Sequence, residues 1–136
     1  MRIFALFVLL MLSRASVASP CDGVSKELSA EQQVELTPIL TRQIANQIEV
    51  QSVKVLESFH YRNWYIFYVA PDSADEVFLF YSDNPTKSSY LLAWPDAFSE
   101  NDEKNVLKAV SSGKTKGIPE KLAACFAWRV TNARAK

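Results

Sequence analysis

Glycine and histidine are scarce in this sequence, and each scarcity excludes a class of catalytic site. Three glycines in 136 residues leave no glycine-rich loop of the kind that cradles a phosphate. The single histidine, His60, lies on the polar side of a predicted strand, and nothing near it in the sequence suggests a Ser-His-Asp or Cys-His arrangement. We therefore predict that the protein is not an enzyme, that it has no catalytic residue and that it needs no cofactor.

Cysteine is equally rare, and the two that occur are Cys21 and Cys125. In an oxidising compartment, such an isolated pair predicts one disulfide bond. Two free or intermolecular thiols are the alternative. A disulfide would close a loop of roughly 100 residues and stabilise the fold by up to about 4–5 kcal/mol in the chain-entropy model. Two cysteines and one histidine without local spacing make a poor ligand set, so we predict no metal site.

Long apolar runs are limited to Ile3–Leu12, which is too short for a permanent membrane span. Arg2 precedes this run, and small residues follow it at Ser16 and Ala18. This order predicts a cleaved secretory signal peptide over residues 1–18. We expect an exported, periplasmic protein whose remaining residues form a single soluble domain, 19–136, with no membrane span.

A lipoprotein anchored at Cys21 is disfavoured by the residues before it. A lipobox requires a small residue directly before the cysteine and an aliphatic residue three positions before it. Those positions hold Pro20 and Ala18.

An excess of basic charge is also missing. The chain has 15 basic and 15 acidic residues, and removal of the signal takes away Arg2 and Arg14 but no acid. The remaining charge of about −2 argues against a nucleic-acid partner, which would require a basic surface. A charged protein partner is then expected to be basic.

Aromatic residues, by contrast, are concentrated in one stretch. Phe59–Tyr81 holds nine of the sixteen aromatic residues (Trp 3, Tyr 5, Phe 8). Period-two alternation and short turns predict four antiparallel strands around this stretch, with helical spacing before and after them. The predicted elements, in order, are a short turn or helix at Ala30–Glu35, a helix from Pro38 to Gln47, strands at Glu49–Tyr61, Trp64–Val69, Glu76–Tyr81 and Ser89–Trp94, a helix capped by Ser99 and ended by Gly113, and a last helix at Pro119–Ala127.

The fold class is therefore predicted to be α+β, with an N-terminal helix, a four-stranded antiparallel meander and two C-terminal helices. A single N-terminal helix kinked at Pro38 is the alternative to the break at this proline. In the first strand, Val53, Val55 and Phe59 are expected to share one face, with Ser58 and His60 on the other.

The predicted helices can cover one face of the sheet, so we expect the other face to be bare. An exposed aromatic face and an acidic turn would suit a protein partner. The candidate partner-binding residues are Asp72, Asp75, Glu76, Trp64, Tyr65 and Tyr68.

The overall plan of signal peptide, small size, a Cys21–Cys125 pair and an aromatic sheet resembles that of small periplasmic immunity proteins. The late Cys125-Phe-Ala-Trp128 run belongs to this resemblance. Those proteins bind and neutralise antibacterial toxins that act on the cell wall, and the plan is similar to that of periplasmic lysozyme inhibitors too. The resemblance implies a protein partner such as a basic toxin or cell-wall hydrolase; it assigns no functional residue. An envelope assembly or scaffold module and a small secreted hydrolase are the alternatives.

Overall fold

The computed structural model describes residues 19–95 and 102–132, which form an α+β fold. The predicted signal peptide and the predicted cap Ser99 lie outside these residues. The elements are α1 (Ala30–Ala45), β1 (Val53–Tyr61), β2 (Trp64–Pro71), β3 (Val77–Tyr81), β4 (Leu92–Pro95), α2 (Glu103–Val110), a short 3-10 helix (Gly113–Thr115) and α3 (Glu120–Thr131).

The four strands form one antiparallel sheet in the order β1-β2-β3-β4. This is the predicted meander. The lead-in to α1 extends it slightly, because Ser25 exchanges two backbone hydrogen bonds with His60 at the outer edge of β1.

One continuous helix, α1, replaces the two pieces expected around Pro38. Its start is as predicted, with Ser29 and Gln32 forming a capping box. Pro38 lacks an N–H, so the Val34 carbonyl loses its donor within the helix. Val34 is 76% exposed, and water can therefore supply a donor and spare the helix a break.

A β-bulge in β1 changes which of its residues share a face. The register with β2 shifts between Val55 and Glu57, so Leu56 is the extra residue. Val53 and Val55 therefore pack on the same side of the sheet as Ser58, whereas Phe59 packs on the opposite side. The expected grouping of Val53 and Val55 with Phe59 was wrong for this reason.

Both faces of the sheet are covered, which corrects the expectation of a bare face. On one face, Leu40 and Ile44 of α1 pack against apolar residues of β1, β2 and β3. On the other, α2 and α3 pack against Phe59, Ile66 and Phe78. The covering elements were largely predicted, but the expectation that they would all lie on one side was not met. We call these the α1 face and the α3 face.

The α3 face is organised around an aromatic cluster and the disulfide. Phe126 of α3 makes edge-to-face contacts with Phe78, Phe80 and Trp94 at centroid distances of 5.1, 4.8 and 5.6 Å. Cys125, which directly precedes Phe126 in α3, forms the predicted disulfide with Cys21, with an S–S distance of 2.06 Å. The N-terminal lead-in is thereby tied to the last helix.

The residues that precede the C-terminal helices explain where each helix begins. Asp102 caps α2 by accepting the Lys104 N–H at 2.9 Å. Pro119 precedes α3, which continues beyond the predicted Ala127 to Thr131. Within residues 19–95 and 102–132, no helix is long and apolar enough to cross a membrane.

Candidate functional site: an acid-rimmed groove

The turn between β2 and β3 carries the three predicted partner-binding acids, and the structure shows that Asp72 differs from the other two. The Asp72 carboxylate accepts the Gln51 N–H at 3.2 Å, and the Asp72 N–H donates to the Ser52 carbonyl at 3.0 Å. Asp72 therefore ties this turn to the loop that precedes β1.

Asp75 and Glu76 are different, because they line a groove on the α1 face. The groove has a volume of about 250 Å³ and lies between the end of α1 and strands β3 and β4. We call it the acid-rimmed groove; its lining residues are Ile44, Gln47, Ile48, Asp75, Glu76, Val77, Leu79, Tyr90, Ala93 and Pro95. Apart from the two acids and Gln47, this lining is mainly apolar.

The two acids at the groove are exposed and unpaired. Neither the Asp75 nor the Glu76 carboxylate makes a hydrogen bond or ion pair with another residue of the described ranges. Both negative charges therefore remain available to a partner, and the apolar surface beside them is available to its side chains.

The groove exists because α1 stops early. The spacing of Leu40, Ile44 and Ile48 predicts one helical stripe, but α1 ends at Ala45 with Asn46 as its C-cap. Ile48 falls beyond the helix and is 42% exposed. Its apolar side chain forms part of the groove wall.

A partly buried polar network holds α1 against β3 and the loop before β4. The Tyr81 hydroxyl donates to the Gln43 side-chain carbonyl, and the Gln43 amide donates to the carbonyls of Pro85 and Ser88, each at 3.1 Å. Burial, together with the nearby Tyr90 hydroxyl, raises the pKa of Tyr81 well above its ordinary value. Burial also raises the pKa of Tyr90.

Trp64 and Tyr68, two of the predicted binding residues, lie on the α3 face and pack against its core. The Tyr68 ring stacks on Phe78 at 4.4 Å between centroids. The Arg129 guanidinium lies 5.5 Å from the Tyr68 centroid and forms a two-pronged ion pair with Glu57. The structure thus places these two aromatic residues in a different part of the protein from Asp75 and Glu76.

Tyr65, the remaining predicted binding residue, lines a second cavity on the α1 face. This cavity of about 160 Å³ lies beside the N-terminal half of α1, and we call it the His60 pocket. Its lining residues are Glu27, Leu28, Gln32, Glu35, Leu36, Ser58, His60, Tyr65, Phe67, Asn84, Pro85 and Thr86.

Sequence reasoning missed the pocket and most of the groove, because both depend on contacts between distant segments. Glu35 and Asn84 are 49 positions apart in the chain yet line one cavity. The bulge at Leu56 also changes the faces of β1, and no turn signal marks it. The acidic pair Asp75-Glu76 was the one local signal that led to the groove.

Comparisons with known proteins add no identification. No family model matches the sequence, and no significant similarity was found among the curated proteins or the solved structures. In the part of the chain that the structure describes, no cluster of three or more histidine, cysteine or acidic residues is arranged to hold a metal ion.

Proposed function

We propose that this chain is a non-enzymatic binding protein whose acid-rimmed groove holds a segment of a basic protein. The observation that carries the proposal is the combination of two unpaired, exposed carboxylates, Asp75 and Glu76, with a mainly apolar groove. Apolar contact supplies affinity, and opposite charge supplies steering and selection of the partner.

Charge complementarity determines the kind of occupant. A segment with apolar side chains flanked by lysine or arginine would fill the groove and place its positive charges beside Asp75 and Glu76. An acidic or uncharged segment would leave both carboxylates without a partner in a more apolar setting, which is unfavourable.

The physiological role that suits this binding mode best is inhibition. We propose that the protein acts in the periplasm as an immunity protein or inhibitor that binds and neutralises an antibacterial toxin of the envelope. Enzymes that act on the anionic cell wall benefit from a basic surface, and such a surface is what the acid-rimmed groove would select.

Affinity capture with a groove variant tests the proposal. Tagged protein comprising residues 19–136 is incubated with an envelope extract that contains cell-wall hydrolases. Three forms are compared: the unchanged chain, Asp75→Asn with Glu76→Gln, and the control Asp22→Asn with Glu31→Gln. The control removes the same two charges at exposed positions outside the groove.

We expect the unchanged chain and the control to enrich the same basic hydrolase and to inhibit its wall-degrading activity. The groove variant should retain about tenfold less of it, as loss of roughly 1.4 kcal/mol would produce. Enrichment of resident envelope proteins without inhibition would favour the scaffold alternative. Equal capture by the groove variant would contradict the role given to the Asp75 and Glu76 carboxylates, on which the proposal depends.

A further inference from the structure

The His60 pocket has no role in the groove's proposed function, yet it is built from polar and aromatic groups. We propose that it is a recognition pocket for one arginine side chain of the same basic partner. This inference rests on the proposed function for the identity of the partner, but the pocket can be tested without that partner.

The size of the pocket limits its occupant to one side chain. Its volume of about 160 Å³ is close to that of engineered cavities of about 150 Å³ that hold one benzene molecule. Drug-sized ligands require roughly 300 Å³ or more. A planar guanidinium on its aliphatic stem fits the smaller space.

An aromatic wall provides a surface for a cation. The His60 and Tyr65 rings are stacked in parallel, with centroids 4.1 Å apart and an interplanar angle of 5°. Phe67 continues the stack at 5.9 Å from Tyr65. Because Tyr65 is stacked between His60 and Phe67, a cation can reach a flat ring face only at the ends of this stack. Such a face attracts cations, and a guanidinium can additionally stack on it in a way that an ammonium cannot.

Two carboxylates at the pocket have no cationic partner. Glu27 and Glu35 line it, and neither forms an ion pair or hydrogen bond with another residue in 19–95 or 102–132. A positively charged occupant would balance the negative charge of these two carboxylates.

Ser58 adds a hydroxyl acceptor to the lining of this pocket. It is 5% exposed, and its side chain lies on the same face of β1 as that of His60. Its hydroxyl makes no hydrogen bond to any residue that the structure describes. The hydroxyl oxygen itself is not fully enclosed, so water can reach it in the free protein, and a guanidinium N–H would replace that water as its donor.

The hydrogen bonding of His60 also favours an occupant that donates. Its Nε2 lies 2.6 Å from the Arg62 carbonyl oxygen, and because a carbonyl only accepts, Nε2 carries the proton. In the neutral ring Nδ1 is then an acceptor. Like the Ser58 oxygen and the two carboxylates, it suits a guanidinium, which only donates.

Nuclear magnetic resonance titration with small probes tests the pocket directly. The probe is N-acetyl-arginine methylamide, and the matched control is the citrulline analogue, which has the same shape without the charge. We expect saturable shifts of the Ser58, His60 and Tyr65 signals, with a dissociation constant on the order of 1–10 mM for a single side chain. Citrulline should bind at least about tenfold more weakly.

Two variants locate the binding. Glu27→Gln with Glu35→Gln should weaken binding of the arginine probe by about tenfold. Glu31 is an exposed acid of α1 outside the pocket, and Glu31→Gln should leave binding of the probe unchanged. Equal binding of citrulline, tighter binding of the lysine analogue, or no saturable shift up to about 50 mM would overturn the proposal.

Failure of the pocket and failure of the groove are distinguishable. Asp75→Asn with Glu76→Gln should leave binding of the arginine probe unchanged, since neither residue lines the pocket. If this variant loses the basic partner while Glu27→Gln with Glu35→Gln keeps it, the groove stands and the pocket assignment is wrong.

Discussion

At the scale of single residues, two buried polar groups hold the layers of the protein together. Tyr81 on β3 donates to Gln43 on α1, and Arg129 on α3 pairs with Glu57 on β1. Each joins a helix to the sheet, one on the α1 face and one on the α3 face. The partners lie far away in the chain, so neither pairing was predicted from the sequence. The Arg129 guanidinium is only partly satisfied, because its buried Nη1 has no hydrogen-bond partner among the described residues.

Stability at high pH should depend on Tyr81. The folded state raises the pKa of Tyr81 above the ordinary value of 10.0, so the unfolded chain loses this proton first. The stabilisation is fully present below about pH 10 and is lost as the pH rises from there through the folded-state pKa. Urea unfolding between pH 8 and pH 11 should show this loss, and Tyr81→Phe should make it shallower; an identical slope in the variant would contradict the account.

Removing one partner of the ion pair on the α3 face should destabilise the protein. The Arg129 side chain is 5% exposed and that of Glu57 is 34% exposed, so Glu57→Gln leaves a buried guanidinium without its counter-ion. We expect a destabilisation of about 2–3 kcal/mol, below the value for a fully buried pair because Glu57 is partly solvated. Urea unfolding measures it, with the exposed Glu31→Gln expected to change stability by less than about 0.5 kcal/mol.

At the scale of elements, local sequence signals predicted which helices and strands form but not how these elements pack together. The signals for a helix beginning at Ala30 and for a strand at Trp64–Val69 are local, and both elements were confirmed. The persistence of α1 through Pro38 depends on the exposure of Val34, and the bulge at Leu56 depends on the pairing with β2. Exposure and pairing are properties of the assembled fold, which explains why these two features escaped prediction.

Pro38 should be a weak point of α1. The helix accommodates it, but the missing hydrogen bond and the steric clash remain. Pro38→Ala should raise the free energy of unfolding by about 1–2 kcal/mol, the gain in helix propensity less the added entropy of the unfolded chain. Thermal or urea unfolding would show it, with Gln33→Ala at an exposed position of the same helix as the control. A destabilised Pro38→Ala variant would mean that the helix requires the proline.

At the scale of the whole molecule, the sheet is sandwiched between α1 and the C-terminal helices, and the two faces differ. The α3 face is held by the disulfide and by an aromatic cluster around Phe126. The α1 face is covered by a single helix, beside which lie both the acid-rimmed groove and the His60 pocket. The α1 face is therefore where partner binding is proposed.

The disulfide should contribute a large part of the total stability. Cys21 and Cys125 are 104 positions apart, and a loop of that length corresponds to about 4–5 kcal/mol in the chain-entropy model. Cys21→Ala with Cys125→Ala should shift the urea midpoint accordingly, and reduction of the unchanged chain should give the same midpoint as the variant. A change below about 1 kcal/mol would contradict this expectation.

The central claim is that Asp75 and Glu76 beside an apolar groove bind a basic protein. The most direct measurement is the dissociation constant of the captured partner for Asp75→Asn with Glu76→Gln, compared with the control Asp22→Asn with Glu31→Gln, at low and at physiological salt. We predict about tenfold weaker binding for the groove variant, a smaller dependence of its association rate on salt, and an unchanged constant for the control. Equal weakening by both pairs would reduce the effect to net charge and would contradict the claim.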